Sequence, residues 1–181
     1  MESLKNMIVA IPHIRELNLS NINIHGHQFS DIMYVISENC QQMQYLNLSD
    51  NQLPQHRDLR NDFLTRNFLK YLVSMISNSS KLIVINLSGM NLRSNVQAIQ
   101  WPLAKSKTLQ AIHLSDNNIP KAIEINMLMV LGVKSTDDAS DGFSITGKLD
   151  PRQLKRNAMT QFQVKMQQKL EGLDAIKQKS K

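Results

Sequence analysis

The residues of this chain that could do chemistry are few, and their spacing suits no common reaction. His25 and His27 could contact a metal ion, but no cysteine or further histidine stands at ligand spacing from them. Cys40, the single cysteine, falls among apolar residues at helical spacing, where a thiol is normally inert core. No glycine-rich phosphate loop occurs, and no carboxylates pair at inward helical spacing. The sequence therefore predicts a protein that is not an enzyme and that holds no cofactor, metal or small-molecule substrate.

The elements that must position any binding residues come from four similar segments. They are IRELNLSNINI from Ile14, MQYLNLSDNQL from Met43, LIVINLSGMNL from Leu82 and LQAIHLSDNNI from Leu109. Each segment has apolar residues at positions one, four, six and eleven, a spacing that fits neither a helix nor a plain strand. With these four matches the chain resembles the leucine-rich-repeat proteins. The apolar stripes at helical spacing between the segments favour the ribonuclease-inhibitor-like subclass, in which strands alternate with full helices.

The resemblance implies an α/β fold: a short leucine-rich-repeat solenoid with a parallel curved sheet and outer helices, plus a C-terminal amphipathic helix. Strands are expected near residues 16–20, 45–49, 84–88 and 111–115. Alternation along each strand should bury positions four and six and place positions three, five and seven on the concave face. Before the fourth strand, Pro102 removes a backbone donor and should end or shorten the helix after Trp101.

Position nine of each repeat controls the turn after the strand. Asn51 and Asn117 stand there in the second and fourth repeats and can satisfy backbone groups of the turn. Ile22 and Met90 hold that position in the first and third repeats and cannot make those bonds. We therefore expect the first and third turns to be looser.

The chain divides into four parts. Residues 1–13 form either a capping helix or half of a preceding repeat, and residues 14–133 form the four repeats. In the segment PKAIEINMLMVLGV we favour a helix over a strand, because it occupies the helical slot of the repeat. Residues 134–149 are an acidic loop and a degenerate capping strand around Phe143 and Ile145. Residues 150–181 are a basic amphipathic helix with Asp150 as N-cap and Pro151 at its first position.

Charge is concentrated in the last part of the chain. Residues 1–147 hold 12 basic and 12 acidic side chains, whereas residues 148–181 hold 9 basic and 3 acidic ones. Such a tail permits contact with nucleic acid or a membrane, both of which we rank behind protein. A solvated helix face explains the same charges.

Three surfaces are candidates for binding other protein chains: the concave face, the edge of the first strand and the C-terminal helix. The residues concerned are Tyr45, Asn47, Asn86 and His113 on the concave face, Arg57 and Arg60 in the surplus residues of the second repeat, and Phe162, Met166 and Leu170 on the C-terminal stripe. A plain solvated face or loop explains the concave and arginine positions as well, so both interpretations stay open.

The resemblance implies a non-enzymatic scaffold for protein–protein interaction. No signal peptide or membrane span is evident, so we expect an intracellular, cytoplasmic protein that is a subunit of a larger assembly. Family analogy points to cytoskeletal or ciliary assemblies. The alternative is a regulatory leucine-rich-repeat protein of the GTPase-activating or ribonucleoprotein-adapter type.

The C-terminal helix should anchor the protein through its apolar stripe rather than its basic face. Each large side chain buried there contributes about 1.5–3 kcal/mol, whereas an exposed lysine contact contributes less than about 1 kcal/mol. Changing Phe162 and Leu170 to Ser should release the protein from its assembly or lower its thermal stability. Changing Lys165 and Lys169 to Gln should do little in the same co-purification and unfolding assays. The reverse pattern would place nucleic acid or membrane ahead of protein as the partner.

Overall fold

Short strands alternate with helices along the part of the chain that the structure describes. The computed structural model describes residues 2–24, 27–51, 53, 59–131 and 144–146. In chain order the elements are α1 (Glu2–Ala10), β1 (Glu16–Asn18), α2 (His27–Asn39), β2 (Tyr45–Asn47), α3 (Leu59–Asn78), β3 (Val84–Asn86), α4 (Gln97–Lys105), β4 (Ala111–His113), α5 (Lys121–Leu131) and β5 (Ser144–Thr146). A 3-10 turn at Arg93–Val96 leads into α4. None of the described helices is long and apolar enough to cross a membrane.

The first four strands form a parallel sheet with one continuous register. Leu17 pairs with Leu46, Leu46 with Ile85, and Ile85 with Ile112. The structure thus confirms the predicted α/β class and the parallel pairing of the four repeats. Each strand has three residues rather than the five expected.

The core lies between this sheet and the helices. Positions four and six of every repeat are buried: Leu17, Leu19, Leu46, Leu48, Ile85, Leu87, Ile112 and Leu114. Each helix packs against the next one along the chain, from α1 to α5. Between α2 and α3, the rings of Phe29 and Phe68 meet edge to face with centroids 4.8 Å apart. The apolar stripes of the sequence therefore become one connected core.

Asn51 satisfies backbone groups of its own turn, as its position predicts, and it also joins the second repeat to the first. Its Nδ2 donates to the carbonyl oxygens of Leu19 at 2.6 Å and of Leu48 at 3.1 Å. Its Oδ1 accepts from the backbone N–H of Ile24 at 3.3 Å. Asn51 is 1% exposed. Without its side chain, these backbone groups would therefore be buried without a hydrogen-bond partner.

Asn117 does the same between the fourth repeat and the third. Its Nδ2 donates to the carbonyl of Leu87 at 2.8 Å, and its Oδ1 accepts from the N–H of Leu92 at 3.0 Å. Both bonds reach back to the preceding repeat. Asparagine at position nine therefore connects the first repeat to the second and the third repeat to the fourth; we call each such contact between neighbouring repeats a joint.

The expectation that Met90 leaves a looser turn is wrong. The Met90 side chain is fully buried, and its backbone carbonyl accepts from the N–H of Leu53 at 3.0 Å. A main-chain oxygen thus takes the place of the asparagine Oδ1 found at the other joints. Ile22, the residue at position nine of the first repeat, is exposed because no repeat precedes it in the described part of the chain.

Positions eight and ten of the repeats adopt left-handed backbone conformations, which the sequence pattern did not indicate. Asn21, Asp50 and Asp116 have φ between 51° and 59° at position eight, and Asn23, Asn91 and Asn118 have similar values at position ten. Asparagine and aspartate tolerate this region better than other side chains. In the third repeat Gly89 has φ 68°, and a Cβ there would clash with the carboxylate of Asp50. Glycine avoids that contact at this joint.

Of the two outcomes predicted for Pro102, an end of the helix after Trp101 is wrong, because α4 continues to Lys105. The missing N–H would have bonded to the carbonyl of Ala98, a residue that is exposed, so water can satisfy that carbonyl. The proline ring is buried in the core. Its packing offsets the lost hydrogen bond.

The two ends of the sheet differ. At the far end, β5 pairs antiparallel with β4 and places Ile145 opposite Ile112, within the segment for which a capping strand was expected. The helix α5 agrees with the helical interpretation of its segment. At the near end, α1 buries Ile8 completely, while Met7 and Ile11 remain exposed. Residues 147–181, including the predicted C-terminal helix, lie outside the described residues.

Replacing Asn51 with Ala should lower the free energy of unfolding by about 2–4 kcal/mol, because the buried Leu19 carbonyl and Ile24 amide lose their partner. Replacing Asn47 with Ala is the matched control. Asn47 is half-buried and accepts one backbone hydrogen bond, so that change should cost less than about 1 kcal/mol. Denaturant unfolding of both variants measures the difference, and equal costs would contradict the bridging role of Asn51.

Candidate partner-binding surface

The concave candidates lie side by side on neighbouring strands. Asn47 pairs with Asn86, and Asn86 with His113, so three position-five residues form one row across the sheet. Adjacent strands lie about 4.8 Å apart, which sets the spacing of the row. Tyr45 stands two residues before Asn47 on the same face of β2. All four residues are half-buried, so part of the surface of each is accessible to a partner.

The asparagines of this row are fixed by their own backbone. The Oδ1 of Asn47 accepts from the N–H of Ser49 at 3.0 Å, and the Oδ1 of Asn86 accepts from the N–H of Ser88 at 3.0 Å. Within the described residues, the Nδ2 groups of Asn47 and Asn86 donate to no other atom. Each amide therefore presents an oriented donor at the concave face.

The same hydrogen bond lies at the end of each of the first three strands. Asn18 repeats the arrangement with the N–H of Ser20 at 3.0 Å. A position-seven amide that bonds to the preceding asparagine leaves the ladder of the sheet. Sequence reasoning missed this role, although the recurrence of Asn-Leu-Ser in the first three repeats was its signal.

Charge is sparse on this face. Among positions three, five and seven of the four repeats, Glu16 is the one residue that carries a full charge at neutral pH. Hydroxyl and amide groups dominate instead, and these groups bind the polar backbone of a peptide better than they bind phosphate. The chemistry of the face suits a neutral polar segment of another protein.

Of the remaining candidates, Arg60 alone lies within the described residues. Arg60 lies in the first turn of α3, not in a loop, since that helix begins at Leu59. Arg57 lies outside the described residues, as do Phe162, Met166 and Leu170. The structure therefore gathers four of the candidate residues into one surface.

A cleft of about 340 Å³ lies on the turns that precede β3 and β4, where the sequence gave no indication of a site. Its lining consists of polar turn residues, the second positions of three repeats and the first position of the fourth: Gln44, Ser80, Lys81, Ile83, Ser106, Lys107, Thr108, Leu109 and Gln110. Lys81 and Lys107 are both exposed. The cleft could accept an acidic side chain of a bound partner.

The helical layer also exposes aromatic residues. Tyr34 of α2 and Tyr71 of α3 contact each other with ring centroids 5.3 Å apart, and the Lys70 Nζ lies 5.7 Å from the Tyr71 centroid. Phe63 and Trp101 are exposed on α3 and α4. These residues lie on the helices, away from the concave row.

Cys40 and His27, the described side chains with catalytic potential, do not form a site together. Cys40 is buried, and burial raises the pKa of its thiol to about 11, so the thiol stays protonated at neutral pH. His27 is exposed at the start of α2, and His25 lies outside the described residues. Across the described ranges, no three His, Cys, Asp or Glu side chains are close enough together to hold a metal ion.

Comparison of the chain with protein-family models and with curated protein sequences found no match to either. The function of the concave surface is therefore inferred from its own residues and geometry.

Proposed function

We propose that the chain is a short leucine-rich-repeat solenoid of the ribonuclease-inhibitor-like subclass. In this proposal it is a non-enzymatic, intracellular and cytoplasmic interaction subunit of a larger assembly, and its concave face binds an extended segment of another protein. The observation that carries the proposal is the row of Asn47 and Asn86, whose amides are fixed by the backbone N–H groups of Ser49 and Ser88.

Preorganisation is what makes this row suited to binding. An amide whose oxygen is already bonded loses little side-chain entropy when its Nδ2 donates to a partner. Each such neutral hydrogen bond contributes about 0.5–1.5 kcal/mol. Two or three of them orient a peptide but do not hold it, so apolar contact must supply the rest of the affinity.

Tyr45 is the residue that can supply this contact on the concave face. It lies beside the asparagine row, and its ring is half-buried with part of its surface accessible. Tyrosine combines a large apolar area with a hydroxyl group and is enriched at the centres of protein interfaces. We assign Tyr45 as the anchor, with Asn47, Asn86 and His113 orienting the bound segment.

The other proposed contacts extend this surface. The predicted C-terminal helix, through Phe162, Met166 and Leu170, would hold the protein within the same assembly. A cytoskeletal or ciliary assembly remains the proposal by family analogy. A protein partner suits the concave face better than nucleic acid does, because the one full charge at positions three, five and seven is the negative Glu16.

The test removes the donors without disturbing the fold. Asn47→Asp and Asn86→Asp keep the oxygen that accepts from Ser49 and Ser88, but they replace each outward donor with an acceptor; Tyr45→Ala removes the anchor. The tagged full chain and this triple variant are each used to capture proteins from native extract, followed by quantitative mass spectrometry. Partners should be lost at least about tenfold, which corresponds to about 1.4 kcal/mol.

The matched control removes apolar surface from the helical layer instead. Phe63→Ala and Trp101→Ala together delete two exposed aromatic side chains on α3 and α4. The control should retain the partners that the concave variant loses. Equal capture by the wild type and the concave variant would overturn the proposed function.

A further inference from the structure

The outer edge of the first repeat exposes apolar side chains that the later repeats bury. Met7 on α1 is 41% exposed, whereas Met75, at the same offset before its strand, is 7% exposed. Ile22 at position nine is 43% exposed, whereas Asn51 at the same position is 1% exposed. Ile11, which links α1 to β1, is 48% exposed. In each internal repeat, the preceding strand and helix cover these positions.

The backbone of β1 also presents groups on this edge that no described strand pairs. In β2, the N–H of Tyr45 donates to the carbonyl of Arg15 at 3.0 Å, and the carbonyl of Asn47 accepts from the N–H of Leu19 at 2.8 Å. Glu16 and Asn18 are the equivalent residues of β1 by register. Their N–H and C=O groups therefore point away from β2, where the described residues contain no further strand.

We propose that this edge binds a second copy of the same chain, with the two β1 strands antiparallel about a two-fold axis normal to the sheet. Leu17 then lies opposite Leu17 of the second copy. Glu16 lies opposite Asn18 on both sides of the axis, and these two residues can exchange both of their backbone hydrogen bonds, as an antiparallel pair does. The two sheets become continuous through four backbone hydrogen bonds.

The side chains of this edge complement each other under the same axis. The Oδ1 of Asn18 accepts from the N–H of Ser20, which leaves its Nδ2 to donate. The Glu16 carboxylate can only accept and forms no ion pair with any described residue. The two-fold axis places the Glu16 carboxylate of each copy beside the Asn18 Nδ2 of the other copy. It also sets the α1 helices side by side, where Met7 and Ile11 can cover their counterparts.

The opposite end of the sheet supports antiparallel pairing of three-residue strands in this fold. There β5 pairs with β4 so that Ile145 faces Ile112, with one residue paired on either side of these two. Because β5 already occupies the free side of β4, copies cannot add head to tail through that strand. Two equal edges that meet about a two-fold axis instead close as a dimer.

Pairing of two copies at this edge does not depend on what the concave face binds. The oligomeric state of the purified full chain tests the edge, whereas partner capture tests the concave face, so either can fail alone. Sedimentation velocity from about 1 to 100 µM should show a reversible equilibrium between monomer and dimer without larger species. A protein that stays monomeric over that range would overturn the proposal.

Two variants test the contact between Glu16 and Asn18. Asn18→Asp keeps the oxygen that accepts from Ser20 but places a carboxylate opposite Glu16 twice, so the dimer dissociation constant should rise at least about tenfold. Adding Glu16→Gln to that variant restores a donor opposite an acceptor. The double variant should return to within about threefold of the wild type.

Asn78→Asp is the control, because it adds the same charge on an exposed residue at the end of α3. It should leave the dimer unchanged. Circular dichroism of each variant verifies the fold. A dimer that is indifferent to Asn18→Asp, or one that the double variant does not restore, would show that the edges do not meet as proposed.

Discussion

One hydrogen-bond register runs from β1 to β4, and the rest of the structure depends on it. Because side chains alternate along a strand, a slip of one residue would turn Leu46 and Leu48 toward solvent and bring Tyr45 and Asn47 into the core. The register keeps the apolar rows continuous from Leu17 to Ile112. It also places Asn47, Asn86 and His113 in one row, so the candidate binding surface is a consequence of the packing of the core.

The joints between repeats reach comparable burial by different means. Asparagine side chains bond across the first and third joints, while the second joint has Met90 at the corresponding position. That joint is held by the Met90 carbonyl, which accepts from the N–H of Leu53. A main-chain oxygen thus replaces a buried side-chain bridge. The exchange keeps the backbone hydrogen bonds satisfied in both kinds of joint.

The sequence predicted those features that repeat with every unit. The positions of the strands, their parallel order, the buried rows and the bonds of Asn51 to its own turn all follow from the repeat pattern. The sequence-based predictions failed at two positions where neighbouring groups make up for a missing hydrogen bond. Pro102 stays within a helix because Ala98, whose carbonyl loses its donor, is an exposed residue, and Met90 closes its turn with a main-chain atom that no side-chain pattern encodes.

The sequence predicted which residues form the candidate site but not how their side chains are held. Alternation placed Tyr45, Asn47, Asn86 and His113 on one face, but it did not show that the asparagines are fixed by the following serine amides. The exposed edge of the first repeat was likewise expected from the order of the strands. Its complementarity depends on which backbone groups point outward and on the bond between Asn18 and Ser20. Apolar periodicity cannot give such information.

Native-state hydrogen exchange at three backbone amides tests the continuous register most directly. Leu19, Leu48 and Leu87 each donate to the next strand, at 2.8, 2.9 and 2.9 Å, and together they sample all three joints. If the repeats form one cooperative unit, all three amides should be protected and should lose protection together as denaturant is added. Exchange of Leu48 near the rate of an exposed amide, with Leu19 and Leu87 still protected, would contradict the account.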